Sequence, residues 1–291
     1  ENDIPKDTIK IIFDYNDGGA SRPLIKTIEK GKSISEPATP KVEGYSFEGW
    51  FTEKEGGEQV SFDFTPTEDT TLYAKYIRNK VKVTFDYNFK GAPKAVVNTV
   101  DYEASVDSAP DTIPVREGYT FEGWYTGKIG GQEAEFPYLA TKDTTFYAKW
   151  TADSYNLVFD FNYEDGGQRT RTVKHDSLVS PPAVPSRVGY EFIGWFTDAE
   201  GGQKVSFPYA VDGEATIYAQ WKARPLSVTF DYNYTGAADK EVPTSYGEVI
   251  ARPEDPVRSG YTFMGWFTED DLAVTFTETI TESQVYYAHW T

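Results

Sequence analysis

Apolar and polar residues alternate along VKVTFDYN, residues 81–88: Val81, Val83, Phe85 and Tyr87 point one way and Lys82, Thr84 and Asp86 the other. That period of two predicts a strand with one face in a core and one in water. The end of the stretch returns as FDYN at 13, FDFN at 159 and FDYN at 230. An asparagine-led turn follows each time, NDGG at 16, NFKG at 88, NYEDGG at 162 and NYTG at 233, which predicts a hairpin in every copy. A closing phrase also recurs, LYAKY at 72, FYAKW at 146, IYAQW at 217 and YYAHW at 286. In it Phe146, Ala148 and Trp150 share one strand face, and the small alanine implies close packing.

Between these phrases lies a third: GYSFEGW at 44, GYTFEGW at 118, GYEFIGW at 189 and GYTFMGW at 260. The order of phrases is the same in each copy, with a period of 71 to 74 residues, so internal repetition sets the organisation. The expected modules are 1–77, 78–152, 153–224 and 225–291, joined by only a few residues. A proline stands four residues before each leading glycine (Pro40, Pro114, Pro185, Pro256), a spacing that predicts one helical turn ahead of the central strand. Each module then reads as hairpin, short helix and two or three strands, an α+β, mainly β domain.

The central phrase supplies the candidate core signature: Tyr45, Phe47 and Trp50; Tyr119, Phe121 and Trp124; Tyr190, Phe192 and Trp195; Tyr261, Phe263 and Trp266. Strict alternation puts Tyr119, Phe121 and Gly123 on one face and Glu122 and Trp124 on the other. The tryptophan is therefore either exposed, as a ligand-stacking ring, or turned inward by a bulge at the preceding glycine. A buried tryptophan would be a large share of the apolar area in so small a core, which favours the inward reading.

The GYxFxGW phrase, the GG turn after it (Gly56 and Gly57, Gly130 and Gly131, Gly201 and Gly202) and the closing YAKW resemble the Listeria/Bacteroides repeat, also called the internalin B B-repeat, over nearly the whole chain. The resemblance implies β-grasp, ubiquitin-like modules in an elongated array, carried by extracellular, wall-attached or outer-surface bacterial proteins between a functional head and an anchor. It implies parallel first and last strands and no catalytic residues. The fourth copy departs from the pattern: TEDDLAV at 268 replaces the GG turn and the copy is two residues shorter, so its hairpin is expected to differ.

Composition narrows the function. Hydrophobic residues make up 39% and aromatics 16% of the 291, enough to fold rather than stay disordered. With 46 acidic against 28 basic residues, a net charge of -18 repels phosphate backbones and anionic lipid, which excludes nucleic acid as a partner. No cysteine is present, so disulfides and thiolate metal sites are excluded. No apolar run reaches the ~18 residues of a membrane span, so membrane insertion is not expected, and ENDIPKDT at the start lacks the pattern of a leader.

Chemistry is sparse. His175 and His289 occupy different repeat positions and read as solvated strand residues. GKS at 31–33 lacks the upstream glycine of a phosphate loop, and DYNDGG at 14–19 lacks the terminal glutamate of a calcium loop; turn chemistry accounts for it. The one candidate ligand patch is the basic run Arg169, Arg171 and Lys174 beside His175, a stripe for an acidic glycan or an exposed strand face balancing the acidic chain. No metal or cofactor is expected, and the chain is expected to be monomeric. The reading is a non-catalytic, adhesin-like stalk; the alternative is an array binding host-surface glycan or protein through repeated weak sites.

Overall fold

The computed structural model describes residues 7–291, so the leader reading of the first residues and the start of the first module lie largely outside the described residues. Four four-stranded sheets follow one another along the chain. The first holds β1 Thr8–Asp14, β2 Leu24–Glu29, β3 Tyr45–Phe51 and β4 Thr70–Arg78. The second holds β5 Lys80–Asp86, β6 Val96–Asp101, β8 Tyr119–Tyr125 and β10 Thr144–Ala152, with β7 Ala104–Val106 and β9 Tyr138–Ala140 forming a small extra pair. The third holds β11 Ser154–Asp160, β12 Gln168–Lys174, β14 Tyr190–Phe196 and β16 Ala215–Ala223, with β13 Leu178–Val179 against β15 Tyr209–Ala210. The fourth holds β17 Pro225–Asp231, β18 Lys240–Ser245, β19 Phe263–Phe267 and β20 Gln284–Trp290. The chain divides into two compact units, Glu1–Thr151 and Ala152–Thr291, each carrying two of these sheets.

Every sheet has the same order. In the first, β2-β1-β4-β3, the outer pairs are antiparallel and the central pair is parallel, Ile11 facing Thr70 and Asp14 facing Tyr73. The parallel centre recurs as β5 with β10, β11 with β16 and β17 with β20. These strands carry the recurrent phrases because their inward positions are the core. Ile11, Phe13, Val83, Phe85, Leu157, Phe159, Val228 and Phe230 are all fully buried. The closing alanines Ala74, Ala148, Ala219 and Ala288 are buried too, since a larger side chain there would push the core rings off the sheet.

The α+β expectation is corrected: the fold is mainly β, with no helix among the described residues. In place of the helical turn after each proline stands a β-turn. The tyrosine N–H donates to the carbonyl three residues back, Tyr45 to Val42, Tyr119 to Arg116, Tyr190 to Arg187 and Tyr261 to Arg258, each at 3.1 Å. The leading glycine sits third in this turn with φ of 77°, 72°, 77° and 81°, a left-handed position that glycine reaches without strain. The proline-to-glycine spacing suits either motif. A lone helical turn fixes three residues for one hydrogen bond, so with no further turns to propagate, the β-turn wins.

Without a helix, loops cover the core. Phe62, Phe136, Phe207 and Phe276, from the segment after the central strand, stack on Phe13, Phe85, Phe159 and Phe230 at ring distances of 6.1, 6.0, 6.3 and 6.2 Å. The hairpin after the central strand closes from Thr52 to Glu58, Thr126 to Gln132 and Thr197 to Gln203. In the fourth sheet it closes from Thr268 to Leu272, two residues shorter, with Asp271 rather than a glycine at positive φ.

Trp124 carries enough of the second core to make truncation local and severe. We expect Trp124→Ala to cost the second sheet roughly 3–5 kcal/mol. Amide hydrogen exchange of the intact chain checks this: protection is expected to fall in β5–β10 and to persist in β11–β20. Unchanged protection throughout would contradict the packing described.

Candidate functional site

The central phrase places its tryptophan inward. Between Phe47 and Gly49 the register of β3 against β4 slips by one residue, and the same slip occurs between Phe192 and Gly194 and between Phe263 and Gly265. The glycines that make this bulge have φ of 153°, 151°, 146° and 133° at Gly49, Gly123, Gly194 and Gly265, values a side chain would strain. One extra residue changes which face follows, so Phe47 and Trp50 end on the same side with rings 5.6 Å apart. Trp50, Trp124, Trp195 and Trp266 are 1–5% exposed. Each meets the first-strand phenylalanine edge-on, Phe13, Phe85, Phe159 and Phe230, at 4.9, 5.1, 5.2 and 4.8 Å. The indole nitrogens of Trp50 and Trp266 are buried without a hydrogen-bond acceptor, so these rings serve as packing bulk. Phe47, Phe121, Phe192 and Phe263 are half-buried against them, whereas the tyrosines of the phrase stand outside these core clusters: Tyr45, Tyr119 and Tyr190 are half-buried and Tyr261 is exposed.

The first and last phrases meet at the hairpin turn. Asn16, Asn88, Asn162 and Asn233 adopt positive φ, and each backbone N–H donates to the aspartate two residues earlier at 2.7–2.8 Å. Their side-chain amides donate to the carbonyls of Ala74, Ala148, Ala219 and Ala288 at 2.9–3.1 Å. The indole N–H groups of Trp150, Trp221 and Trp290 reach back to the carbonyls of Tyr87, Phe161 and Tyr232, each at 2.8 Å. In the first copy Tyr76 does the same through its hydroxyl, to Tyr15 at 2.9 Å. Burial first, then Asp17 and Tyr15, holds this phenol above its ordinary pKa, which keeps it a donor. Asp17 accepts from the N–H groups of Gly19 and Ser21, and the Ser21 contacts hold it below the ordinary carboxylate range. The calcium-loop-like stretch is thus occupied by its own turn.

The predicted cationic stripe divides. Arg169 and Arg171 lie opposite Phe159 and Leu157, on the core side of β12, Arg169 exposed and Arg171 half-buried, whereas Lys174 lies opposite Ser154 on the outer face and is exposed. Arg169 and Arg171 sit over the rings of Phe161 and Phe159 at 5.5 and 5.3 Å, and Arg171 donates to the carbonyl of Ser180. Lys26 in the first copy lies over Phe13 and donates to the carbonyl of Ser35, so a basic residue covering the sheet edge is a repeated device. His175 is more enclosed than a solvated strand position, its side chain 10% exposed and edge-on to Tyr155; His289, 35% exposed, stacks on Phe267.

A cleft that the residue pattern did not flag recurs beside the hairpin turn. Arg116, Arg187 and Arg258, each at the first position of the β-turn, fold over Tyr119, Tyr190 and Tyr261 at 3.6, 3.8 and 3.7 Å. With Asn88, Lys149 and Trp150, Arg116 lines a cleft of about 250 Å³; with Asn162, Gln220 and Trp221, Arg187 lines one of about 760 Å³. In the first copy Val42 replaces the arginine beside Asn16, Lys75 and Tyr76, around about 450 Å³. Arginine two residues before the glycine in three copies was the available signal. The walls offer guanidinium, amide and aromatic edges, groups that bind rather than react. Among the described residues no cluster of three or more His, Cys, Asp or Glu could hold a metal, and no helix is long and apolar enough to cross a membrane.

Four sheets with the same three interlocking phrases define a tandem-repeat, mainly-β protein. The chain belongs to the Listeria-Bacteroides repeat domain family, whose profile matches residues 10–75, 82–149, 155–220 and 227–289. Among curated relatives, a protein of Evansella cellulosilytica named as a Gly-rich membrane protein is 30% identical across 95% of this chain and 32% of its own length. A second protein of that organism, named as a membrane protein, is 31% identical across 87% of this chain and 38% of its own length. Internalin H of Listeria monocytogenes is 40% identical across 38% of this chain and 20% of its own length. The chain therefore spans between 20% and 38% of the length of these relatives.

If Trp150 is held by its hydrogen bond as well as its bulk, Trp150→Phe leaves the buried Tyr87 carbonyl without its partner. The expected loss is about 1–3 kcal/mol in the second sheet, read by amide exchange. A loss below about 0.5 kcal/mol would assign the indole to packing alone.

Proposed function

We propose that this chain is a non-catalytic spacer region of a bacterial surface or secreted protein, made of four helix-less β-grasp modules bounded near residues 77, 152 and 224. The names of the relatives, an internalin and membrane proteins, support a place at the cell surface. The observation that carries the spacer reading is the parallel central pair. The chain enters the first module at Thr8, three residues before Ile11, and leaves at Arg78, eight residues beyond Ile11's partner Thr70. At ~3.3 Å per residue those points lie about 36 Å apart along the strand direction, at opposite ends of the sheet. Tension between them loads the central hydrogen bonds together, in shear, rather than peeling them one by one. A stalk between a head and an anchor has to survive that load.

A second reading, a multivalent array for host-surface glycan or protein, is favoured by the Arg–Trp clefts of modules two and three and by Arg258, which lies over Tyr261 and Trp290 in module four. It rests on those arginines rather than on Arg169, Arg171 and Lys174, two of which already cover the core. A glycan panel probed with the intact chain and with the Arg116→Ala, Arg187→Ala, Arg258→Ala variant separates the readings. The spacer reading expects no retained glycan, whereas retention abolished in the variant would establish the array.

Single-molecule stretching of the intact chain tests the spacer directly. Four separate unfolding events are expected, each releasing roughly 200 Å, the extended length of about 70 residues less the folded span. Extension without resisting events would overturn the mechanical reading.

A further inference from the structure

The glycine and tyrosine that open the central phrase are more than a turn. Between β4 and β5 stands one residue, Asn79, whose N–H donates to the Gly44 carbonyl and whose own carbonyl accepts from the N–H of Tyr102. Tyr102 is the corner residue after β6, the second hairpin strand of the next module. A backbone relay therefore runs from one module through the connector to the hairpin corner of the following one. The Tyr102 ring lies flat against Gly44, so close that a Cβ on that glycine would overlap it. It meets Tyr45 edge-on at 5.7 Å, and the Tyr45 hydroxyl donates to Glu103 beside it at 3.2 Å.

The same arrangement is built again with different neighbours. Arg224, the single residue between β16 and β17, donates to the Gly189 carbonyl and accepts from Tyr246. The Tyr246 ring covers Gly189, where a Cβ would again overlap it, and meets Tyr190 edge-on at 5.6 Å. In the fourth copy the corresponding glycine, Gly260, has the same positive φ but open space around it, and Tyr261 is 51% exposed. The turn alone therefore explains a glycine at all these positions, but not the stacked ring at two of them. Desolvation, with the carboxylates of Glu43 and Glu103 and the Tyr45 phenol, also holds the Tyr102 phenol above its ordinary value.

We propose that the Gly-Tyr pair is a socket for the corner tyrosine of the following module, locking modules one and two, and separately modules three and four, into stiff pairs. The partner chemistry is an aromatic ring carried on the hairpin corner of a like module: Tyr102 in the Gly44 socket and Tyr246 in the Gly189 socket. The surface that the phrase offers outward thus serves module-to-module contact, while its tryptophan serves the core. This rests on packing within each compact unit and holds whether the chain acts as spacer or as array.

Because the chain has no cysteine, spin labels can be placed at will in the whole protein. Glu55→Cys in the first module and Lys94→Cys in the second are exposed positions away from the socket. Double electron–electron resonance between them is expected to give one narrow distance distribution in the native background, retained in Tyr102→Phe and at least doubled in width in Tyr102→Ala. Gly44→Ala, which attacks the socket from the other side, is expected to widen it likewise. Gly260→Ala supplies the stability comparison: it strains the same kind of turn with no ring above it, so Gly44→Ala should lower the melting temperature of its module further. A broad distribution in the native background, or a Tyr102→Ala distribution as narrow as the native one with both modules still folded, would overturn the socket. If Tyr102→Ala fails to fold, an unchanged width in folded Gly44→Ala overturns it equally.

Discussion

Each module depends on one contact, the tryptophan of the central strand set edge-on against the phenylalanine of the first strand. The two residues come from strands that are not neighbours, because the closing strand lies between them in the order β2-β1-β4-β3. Their rings can meet only across the face of that strand, over the small buried alanine. A larger residue at Ala74 or Ala148 would lift the indole, and a residue other than glycine at Gly49 or Gly123 would strain the bulge that aims it. The three recurrent phrases are thus one constraint written in three places. The asparagine that donates to the alanine carbonyl and the closing tryptophan that donates to the residue just after the first strand tie the first and closing strands together at their end.

Much of this could be read from residues alone, and the reasons for the rest are physical. The half-buried first and closing strands follow directly from their period of two, and Val81, Val83, Phe85, Phe146 and Ala148 are buried where alternation puts them. For the central strand the same counting aims Trp124 outward, because a period-two argument assumes that no residue is inserted. The glycine before it held the information, as a backbone position at φ near 150° that permits a bulge. The proline segment misled in another way: Pro-x-x-x-Gly fits a helical turn and a β-turn equally, and only the absence of further helical residues decides between them. Arg171 read as an exposed cation, yet long aliphatic stems let it cover Phe159 while its head group bonds the Ser180 carbonyl. The arginines at 116, 187 and 258 were visible as a repeat but had no meaning until the fold set them beside the closing tryptophans, with clefts at the first two.

The economy of the module also bears on its use. With no helix, the core face of each sheet is closed by loops whose phenylalanines stack on the first-strand ring, so the parallel pair stays central and its apolar face covered. The chain enters at one end of that pair and leaves at the other, which is the arrangement a repeat needs if it is to transmit tension through its most cooperative contacts. Outward groups are then available for other work, such as the aromatic corner contacts of Tyr102 within the first compact unit and Tyr246 within the second, and the basic clefts beside the hairpin turns.

The burial of the four central-strand tryptophans is the claim on which the account stands, and 19F NMR of the intact chain labelled with 5-fluorotryptophan tests it. Seven resonances are expected, assigned one at a time by Trp→Phe replacement. Those of Trp50, Trp124, Trp195 and Trp266 are predicted to show no shift between H2O and D2O, while Trp150, Trp221 and Trp290, half-buried near the ends of the closing strands, shift partway toward the free value. Solvent shifts at the first four as large as that of the free amino acid would contradict the account and return the central phrase to the status of an exposed binding box.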